Sequence, residues 1–489
     1  MKLGERFTQS VFLQTPRSAT RESLESALQA ILDHHDALRL ALTEGEDKKS
    51  LVLDVLPPGR ILAEACLSCI DVKGMYGPEL EAAMLDATYL AESSLNLAIG
   101  KSVHAVWLDA GTNDAGRLLL VIHHLTVDGV SWRILLPDLQ SAWEAISVGG
   151  QPALEPIGTS YREWAHILNE EARNGEREAE LPFWKNVLSG NDPLISSRPL
   201  DPARDTAATL RSLSLSVPPD VASPLLSKLP FLFHARVNDI LLTAFVVAIV
   251  WWRRERGISN ASDVLLDLEG HGREENRRAD LSRTVGWFTS LFPLRLDIED
   301  LDPQQLAEDG PALGAALKRI KEQLRQLPDN GIGYGILRYL TDDGGDQLQA
   351  KSQFGFNYLG RFDAPSGVDW APAPEASVLA GSGDIARPLP HSVVLNAHTA
   401  DREDGPTIFA SWSWGGELFA ETDIKALSEK WLLTLAALAR CANRADAGGF
   451  TPSDLPLVSL DQAEIERLES EHRGVSDVLP LSPLQQGLL

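Results

Sequence analysis

The segment Leu118–Leu136, LLLVIHHLTVDGVSWRILL, sets two histidines, an aspartate and a glycine between two apolar runs. Histidine is the side chain most readily used as a general base near neutral pH, so His123 and His124 are the first candidates for proton transfer. The four residues before them, LLVI, are β-type, and the pattern predicts a strand ending at the pair. Strand ends and the loops after them are where reactive side chains are presented. Neighbouring side chains there point to opposite faces, so one histidine can face a cleft while the other packs or holds the loop. Asp128 has three uses open to it: to bind a histidine, to cap the helix starting at Gly129 and Val130, or to pair with an arginine elsewhere.

A histidine pair alone says little. His34 and His35 are also followed by Asp36 and an apolar run, but they fall late in the amphipathic pattern AILDHHDALRLAL. A surface or packing role near that helix C-terminus accounts for them. Cys66 and Cys69 form CLSC, yet no second CxxC and no histidine pair at finger spacing accompany them. The context ILAEACLSCIDV reads as a strand, which turns residues three apart to opposite faces, so their expected role is structural.

The elements that must position these residues follow from periodicity. RFTQSVFLQT alternates as a strand, and Thr20 caps a helix whose stripe is Leu24, Leu28, Ile31, Leu32 and Leu38. Strands are predicted at residues 51–56, 61–72, 102–109 and 117–123, with a helix over 79–95. A helix follows His124 to about residue 146, and TSYREWAHIL opens another. LSGNDPLISSRPLDP, residues 188–202, is rich in turn formers and reads as the connection between two lobes. The second lobe alternates again: RSLSLSV, an apolar helix over 238–254, DVLLDLEG, TSLFPLRLDI, a helix over 303–327, FGFNYLG, SVVLNAH, TIFASWSW and a final helix over 424–441. The fold class expected is mixed α/β, with lobes at 1–187 and 188–444 and a linker at 445–475.

Composition narrows the function classes. The 489 residues hold 44% hydrophobic and 23% charged side chains, the balance of a folded chain. A net charge of −25 argues against nucleic acid, whose phosphates are gripped by clustered Lys and Arg. No export signal is visible at the N-terminus. The apolar run Ile240–Trp252 falls short of the roughly 20 residues that span a bilayer and reads as a buried helix, so no membrane role is expected. Three cysteines suit a reducing, cytoplasmic setting.

HHLTVDGVSW resembles the HHxxxDG core of the condensation-type superfamily of nonribosomal peptide synthetases. LEGHGRE (268–274), DLSRTVGWFTSLFPL (280–294), PDNGIGYGIL (328–337) and FGFNYLGRFD (354–363) resemble the signatures of its epimerization domains. GIGYG lacks the preceding strand and helix-opening pattern of a dinucleotide site. The resemblance implies two chloramphenicol-acetyltransferase-like lobes in a V-shaped pseudo-dimer with a tunnel between them. It implies inversion at Cα of an aminoacyl or peptidyl thioester held on the 4′-phosphopantetheine arm of a peptidyl carrier protein. No cofactor on the domain itself is implied, and no metal. Partners would be that carrier and the adjacent adenylation and condensation domains.

Inversion removes the acidic Cα proton and returns one to the opposite face, so it asks for an acid/base group on each side of a planar intermediate. The resemblance assigns these roles to His124 and Glu269. Glu269 could instead pair with Arg273 four residues on, but Gly270 and Gly272 argue against the regular helix that would favour that pair. Tyr358 is carried over near the developing oxyanion or as a proton participant, with Asn357 and Arg273 supporting. His123, Asp128 and Gly129 form a frame, Asp128 salt-bridging an arginine, and Ser131 and Trp132 pack at the first helical turn.

Such domains usually open with a PLxPxQ-type helix, and this sequence begins instead at RFTQSVFLQTP. LPLSPLQQGLL, within residues 476–489, resembles the start of a following condensation domain, so the chain reads as a segment of a longer synthetase. Two other readings remain. A condensation domain would use His124 for peptide-bond formation, and a silent docking module would be expected to have lost the HHxxxDG residues, which are intact here.

Overall fold

The structure is a computed structural model that describes residues 7–45, 50–273, 278–299, 311–341, 344–349, 351–362, 368–375, 385–472 and 474–488. The chain divides into two compact units. The first comprises Met1–Arg177, Gly270–Ser290 and Ala364–Arg387, and the second Glu178–Glu269, Leu291–Asp363 and Pro388–Leu489.

The strands of the first unit are β1 (Thr8–Gln14), β2 (Leu40–Glu44), β3 (Leu51–Val55), β4 (Leu67–Asp71), β5 (Val103–Asp109) and β6 (Arg117–His123). β2 and β3 pair as a separate ribbon, and the other four form a sheet in the order β1-β6-β5-β4. β6 lies inside this sheet, antiparallel to both neighbours. Its continuous apolar run reflects burial on both faces. Leu118, Leu120 and Ile122 pack with residues of helices Arg21–His34 and Gly129–Ser147, while Leu119 and Val121 pack with helix Pro78–Ser93.

Later segments complete this unit. Val285 and Trp370 join the first of those clusters and Ala373 the second. Residues 370–373 run along the outer edge of β1, where Trp370 N–H donates to Gln14 O at 2.8 Å and Ala373 N–H to Phe12 O at 2.9 Å. That covers an otherwise open strand edge. The single lobe boundary expected at residue 188 is therefore replaced by a first crossing after Arg177, followed by two returns. Helix Leu181–Leu188 lies on the far side of that crossing because Trp184 is fully buried in the core of the second unit.

Two local expectations change. The strand predicted over 61–72 starts with a helical turn, Ala63–Cys66, and only Leu67–Asp71 is extended. Gln29 stabilises the turn: its amide donates to Ile61 O at 3.1 Å and accepts from Ala63 N–H at 2.8 Å, taking backbone groups a strand partner would need. Cys66 is buried and Cys69 exposed. The first helix ends at His34, with His35 as its C-cap, because Arg39 gathers its last carbonyls, including Asp33 O at 2.8 Å and His35 O at 3.2 Å. Of the surface and packing roles open to it, His35 has the packing one: it is fully buried, and its Nε2 lies 2.9 Å from Asp138.

The second unit has a six-stranded sheet built from β7 (Leu210–Val217), β8 (Asp263–Gly270), β9 (Ser290–Asp297), β10 (Phe354–Phe362), β11 (Val393–Arg402) and β12 (Gly405–Gly415). Their order is β7-β12-β11-β10-β8-β9. β10 is parallel to both β8 and β11. One face packs on helices Val237–Glu255 and Glu421–Cys441 through Val264, Leu266, Leu268, Phe354, Phe356, Leu395, Ala397 and Trp412. The opposite face carries Glu269 and a polar row set by register: Asn357 opposite Asn396, and Asn396 opposite Ser411. Strand alternation makes one face apolar and leaves the other for polar work.

Helix Pro311–Arg325 realises the second half of the helix predicted over 303–327; residues 303–310 lie outside the described residues. Val237–Glu255 is buried in the core, and among the described residues no single helix is long and apolar enough to cross a membrane. The linker expected at 445–475 is packed instead. Thr451, Leu455 and Ile465 are buried, and Lys321, itself buried, donates to Asp454 at 2.5 Å and to Phe233 O at 3.0 Å. Helix Pro483–Leu488 is exposed along its length.

Candidate active site

In the first unit, β6 delivers His123 and His124 to its C-terminal end. The strand register is held there by His123 N–H to Ser102 O at 2.9 Å and His124 N–H to Phe7 O at 2.8 Å. The chain turns at once into a 3₁₀ turn, His124–Thr126. His123 is buried, and its Nδ1 accepts from Leu125 N–H at 3.2 Å while Thr126 donates to its carbonyl at 2.9 Å. It therefore shapes the turn.

His124 faces the other way and is half-buried. Its ring stacks on Phe7 with centroids 4.7 Å apart and meets Trp287 at 4.6 Å. Its Nε2 lies 3.0 Å from Gln9 Nε2, and Gln9 Oε1 accepts from Trp132 Nε1–H at 2.7 Å. Burial pushes the His124 pKa below its ordinary value, opposed by nearby backbone groups and Asp128 and assisted by Arg387. That shift favours the neutral ring, the form a base requires.

Asp128 serves two of its three possible uses at once. Its Oδ1 caps helix Gly129–Ser147 by accepting from Ser131 N–H at 2.8 Å and Ser131 Oγ–H at 2.9 Å. Its Oδ2 accepts from Arg273 at 2.6 Å and from Phe288 N–H at 3.0 Å. The arginine also donates to Ser131 Oγ at 3.0 Å and lies 4.2 Å above the Phe288 ring. Both charges are buried, and the carboxylate is fully engaged, so Asp128 is a clasp and not a partner of His124. Gly272 makes the clasp possible: its φ is +66°, and a Cβ there would collide with the Phe288 carbonyl. Gly129 occupies open space where a Cβ would meet nothing within 4 Å, so it frames nothing by close contact.

In the second unit, Glu269 stands on the polar face at the end of β8. Its partner is Asn357, whose Nδ2 donates to Glu269 Oε2 at 2.7 Å. Arg273, the alternative partner, is committed to Asp128. Glu269 is open to water at its surface, yet surrounding protein desolvates its carboxylate and raises its pKa, with His391 opposing. His391 Nε2 is held 2.8 Å from Asp267, two residues before Glu269, and Ser352 donates to the same carboxylate at 2.5 Å. Tyr358 does not join this group. It alternates to the core face after Phe354 and Phe356, and its hydroxyl lies 2.9 Å from Thr399 Oγ1.

Residue types and spacing pointed to His123, His124 and Asp128, but not to Gln9, Phe7, Trp132 or Trp287 around the imidazole. Gln9 is one polar position in an alternating strand, a pattern with no catalytic signal. His34, His35 and Asp138 have ligand atoms within 4.8 Å of one another. Arg283 already holds the other Asp138 oxygen and the Glu155 carbonyl sits 2.9 Å from His34 Nε2, which makes this a structural cluster and a poor cation site.

The Condensation domain family model matches residues 1–447. A linear gramicidin synthase polypeptide of Brevibacillus parabrevis is 35% identical over 492 aligned positions, covering 99% of this chain and 6% of the relative. The chain thus spans a small fraction of the length of such relatives. Among solved structures, the epimerization domain from the third module of tyrocidine synthetase B aligns with a TM-score of 0.76 at 27% identity, covering 90% of this chain and 94% of that one. The X-domain from teicoplanin biosynthesis shares the fold, with a TM-score of 0.62 at 16% identity over 90% of this chain and 92% of its own.

Proposed function

The chain belongs to the condensation-domain family of nonribosomal peptide synthetases, and we propose that within it this domain inverts Cα of a carrier-bound aminoacyl or peptidyl thioester. The observation that carries this reading is Glu269: a carboxylate left free by Arg273, held by Asn357 and shifted upward by desolvation. Peptide-bond formation through His124 has no need of such a group. The likeness to the tyrocidine epimerization domain supports the same reading.

The chemistry runs through two proton acceptors. His124 removes the Cα proton from one face of the L-thioester, the electrons pass into the thioester carbonyl, and protonated Glu269 returns a proton to the other face. The reverse reaction exchanges the roles. Burial lowers the imidazole from 6.5 and raises the carboxyl from 4.5, so the two affinities move toward each other. Both shifts narrow the gap in proton affinity between the two groups, which suits proton transfer in either direction between two nearly isoenergetic thioesters.

The test loads a peptidyl carrier protein with an L-aminoacyl phosphopantetheine in deuterated buffer and follows Cα label and chirality. D-product carrying solvent deuterium is expected. Glu269→Gln should abolish inversion, about 10²–10⁴-fold in rate, while one-sided exchange at Cα continues through His124. Amide formation with an added acceptor carrier and no label at Cα would establish the condensation reaction instead.

A further inference from the structure

Gln9 touches both the candidate base and an indole. Trp132 Nε1–H can only donate, so the Gln9 oxygen, 2.7 Å away, must be the atom that faces it. The amide NH₂ is then the end that meets His124 Nε2 at 3.0 Å. That end also only donates, which leaves a single role for the ring nitrogen. We propose that Gln9, its amide oriented by Trp132, is a positioning residue that holds His124 as the Nδ1–H tautomer with its lone pair on Nε2. This deepens the reading of His124 as a proton acceptor and rests on it for its catalytic consequence.

Gln9 makes the one side-chain hydrogen bond to the ring among the described residues; backbone groups of His124 and Val127 also favour a ring N–H, while Nδ1 is buried with no partner at full hydrogen-bond geometry. Phe7 and Trp287 restrict the ring's tilt but cannot choose between its nitrogens. The charged groups facing the site are Asp128, whose oxygens are taken by Ser131, Arg273 and Phe288 N–H, and Arg387, which lies 5.4 Å from the Phe7 centroid. His123, the adjacent imidazole, is turned to Leu125 N–H.

The pairing also acts during turnover. When Nε2 takes a proton, an Nε2–H confronts the Gln9 N–H, two donors face to face. Rotating the amide would relieve that contact but break the bond to Trp132. Gln9 therefore disfavours the imidazolium and favours return of the proton.

The test reads the ring directly. The intact chain is labelled with ¹⁵N-histidine, and the His124 signals are identified by their loss in His124→Ala. At neutral pH the wild-type spectrum should show an unprotonated Nε2 and a protonated Nδ1. Gln9→Glu presents two acceptors, so Nε2 should become protonated, and both the ring titration and the acid limb of the inversion rate should rise by about one pH unit or more. Trp132→Phe frees the amide to turn and should give mixed tautomers. Wild-type His124 with a protonated Nε2, or ring signals unchanged in both variants, would overturn the proposal. A purely structural Gln9 would lower rates at every pH without moving the titration. Because the ring is read without substrate, the tautomer can fail while inversion is upheld, and the reverse.

Discussion

Arg273 reaches back to Asp128 at 2.6 Å across 145 positions of sequence, and through it the returning segment 270–290 is fastened to the loop that carries His124. The same contact commits Arg273, the cation that local spacing offered Glu269 four residues earlier.

The clasp should dominate the stability of the first unit. Both side chains are buried, at 5% and 3% exposure, so removing either leaves a charge without its partner. Arg273→Ala and Asp128→Ala should each cost about 3–5 kcal/mol in urea unfolding. The double variant should lose clearly less than the sum. Additive losses would show that the two do not act as a pair.

Asn357 and Tyr358 should separate in kinetics although they are neighbours in sequence. Asn357 donates to Glu269, so Asn357→Ala removes a bond that favours the ionised carboxylate, raises its pKa further and moves the corresponding limb of the pH–rate profile upward. Tyr358→Phe removes a hydroxyl facing Thr399 and should cost about 1 kcal/mol of stability with only a small change in turnover. A hundredfold loss of turnover in Tyr358→Phe would put that hydroxyl in the proton path, as the resemblance implied.

His104 should make the fold sensitive to acid. Its burial, with Lys101 adding to the effect, lowers its pKa from 6.5 to about 4. Between those values the unfolded chain binds the proton and the folded chain does not, so stability present above pH 6.5 falls as the pH is lowered through about 4. The loss should approach ~3 kcal/mol for this group, and His104→Gln should flatten the profile over that window. An unchanged slope in the variant would assign the acid sensitivity to other groups.

Much of the fold was legible because its strands and helices carry strong periodicity. β6 reads as a buried strand from LLVI, and the register of Glu269 and Asn357 follows from alternation along DVLLDLEG and FGFNYLG. The turn at Ala63–Cys66 was not legible, since what makes it is the side chain of Gln29 from a distant helix. Nor was the docking of residues 449–465, where Gly and Pro suggested a linker but Lys321 and buried Thr451 hold the chain down.

By itself, the sequence marked an imidazole at the end of an apolar strand as able to move a proton, and its resemblance to epimerization domains added the carboxylate Glu269. The first is a local property, carried by residue type and period; the second came from the motif. Only the tertiary structure decided their states. Arg273 belongs to Asp128, Glu269 to Asn357, and the nitrogen of His124 that keeps its lone pair is chosen by Gln9 and Trp132. Each choice is a competition among hydrogen-bond partners brought together from distant positions, settled by which of them burial leaves within 3 Å.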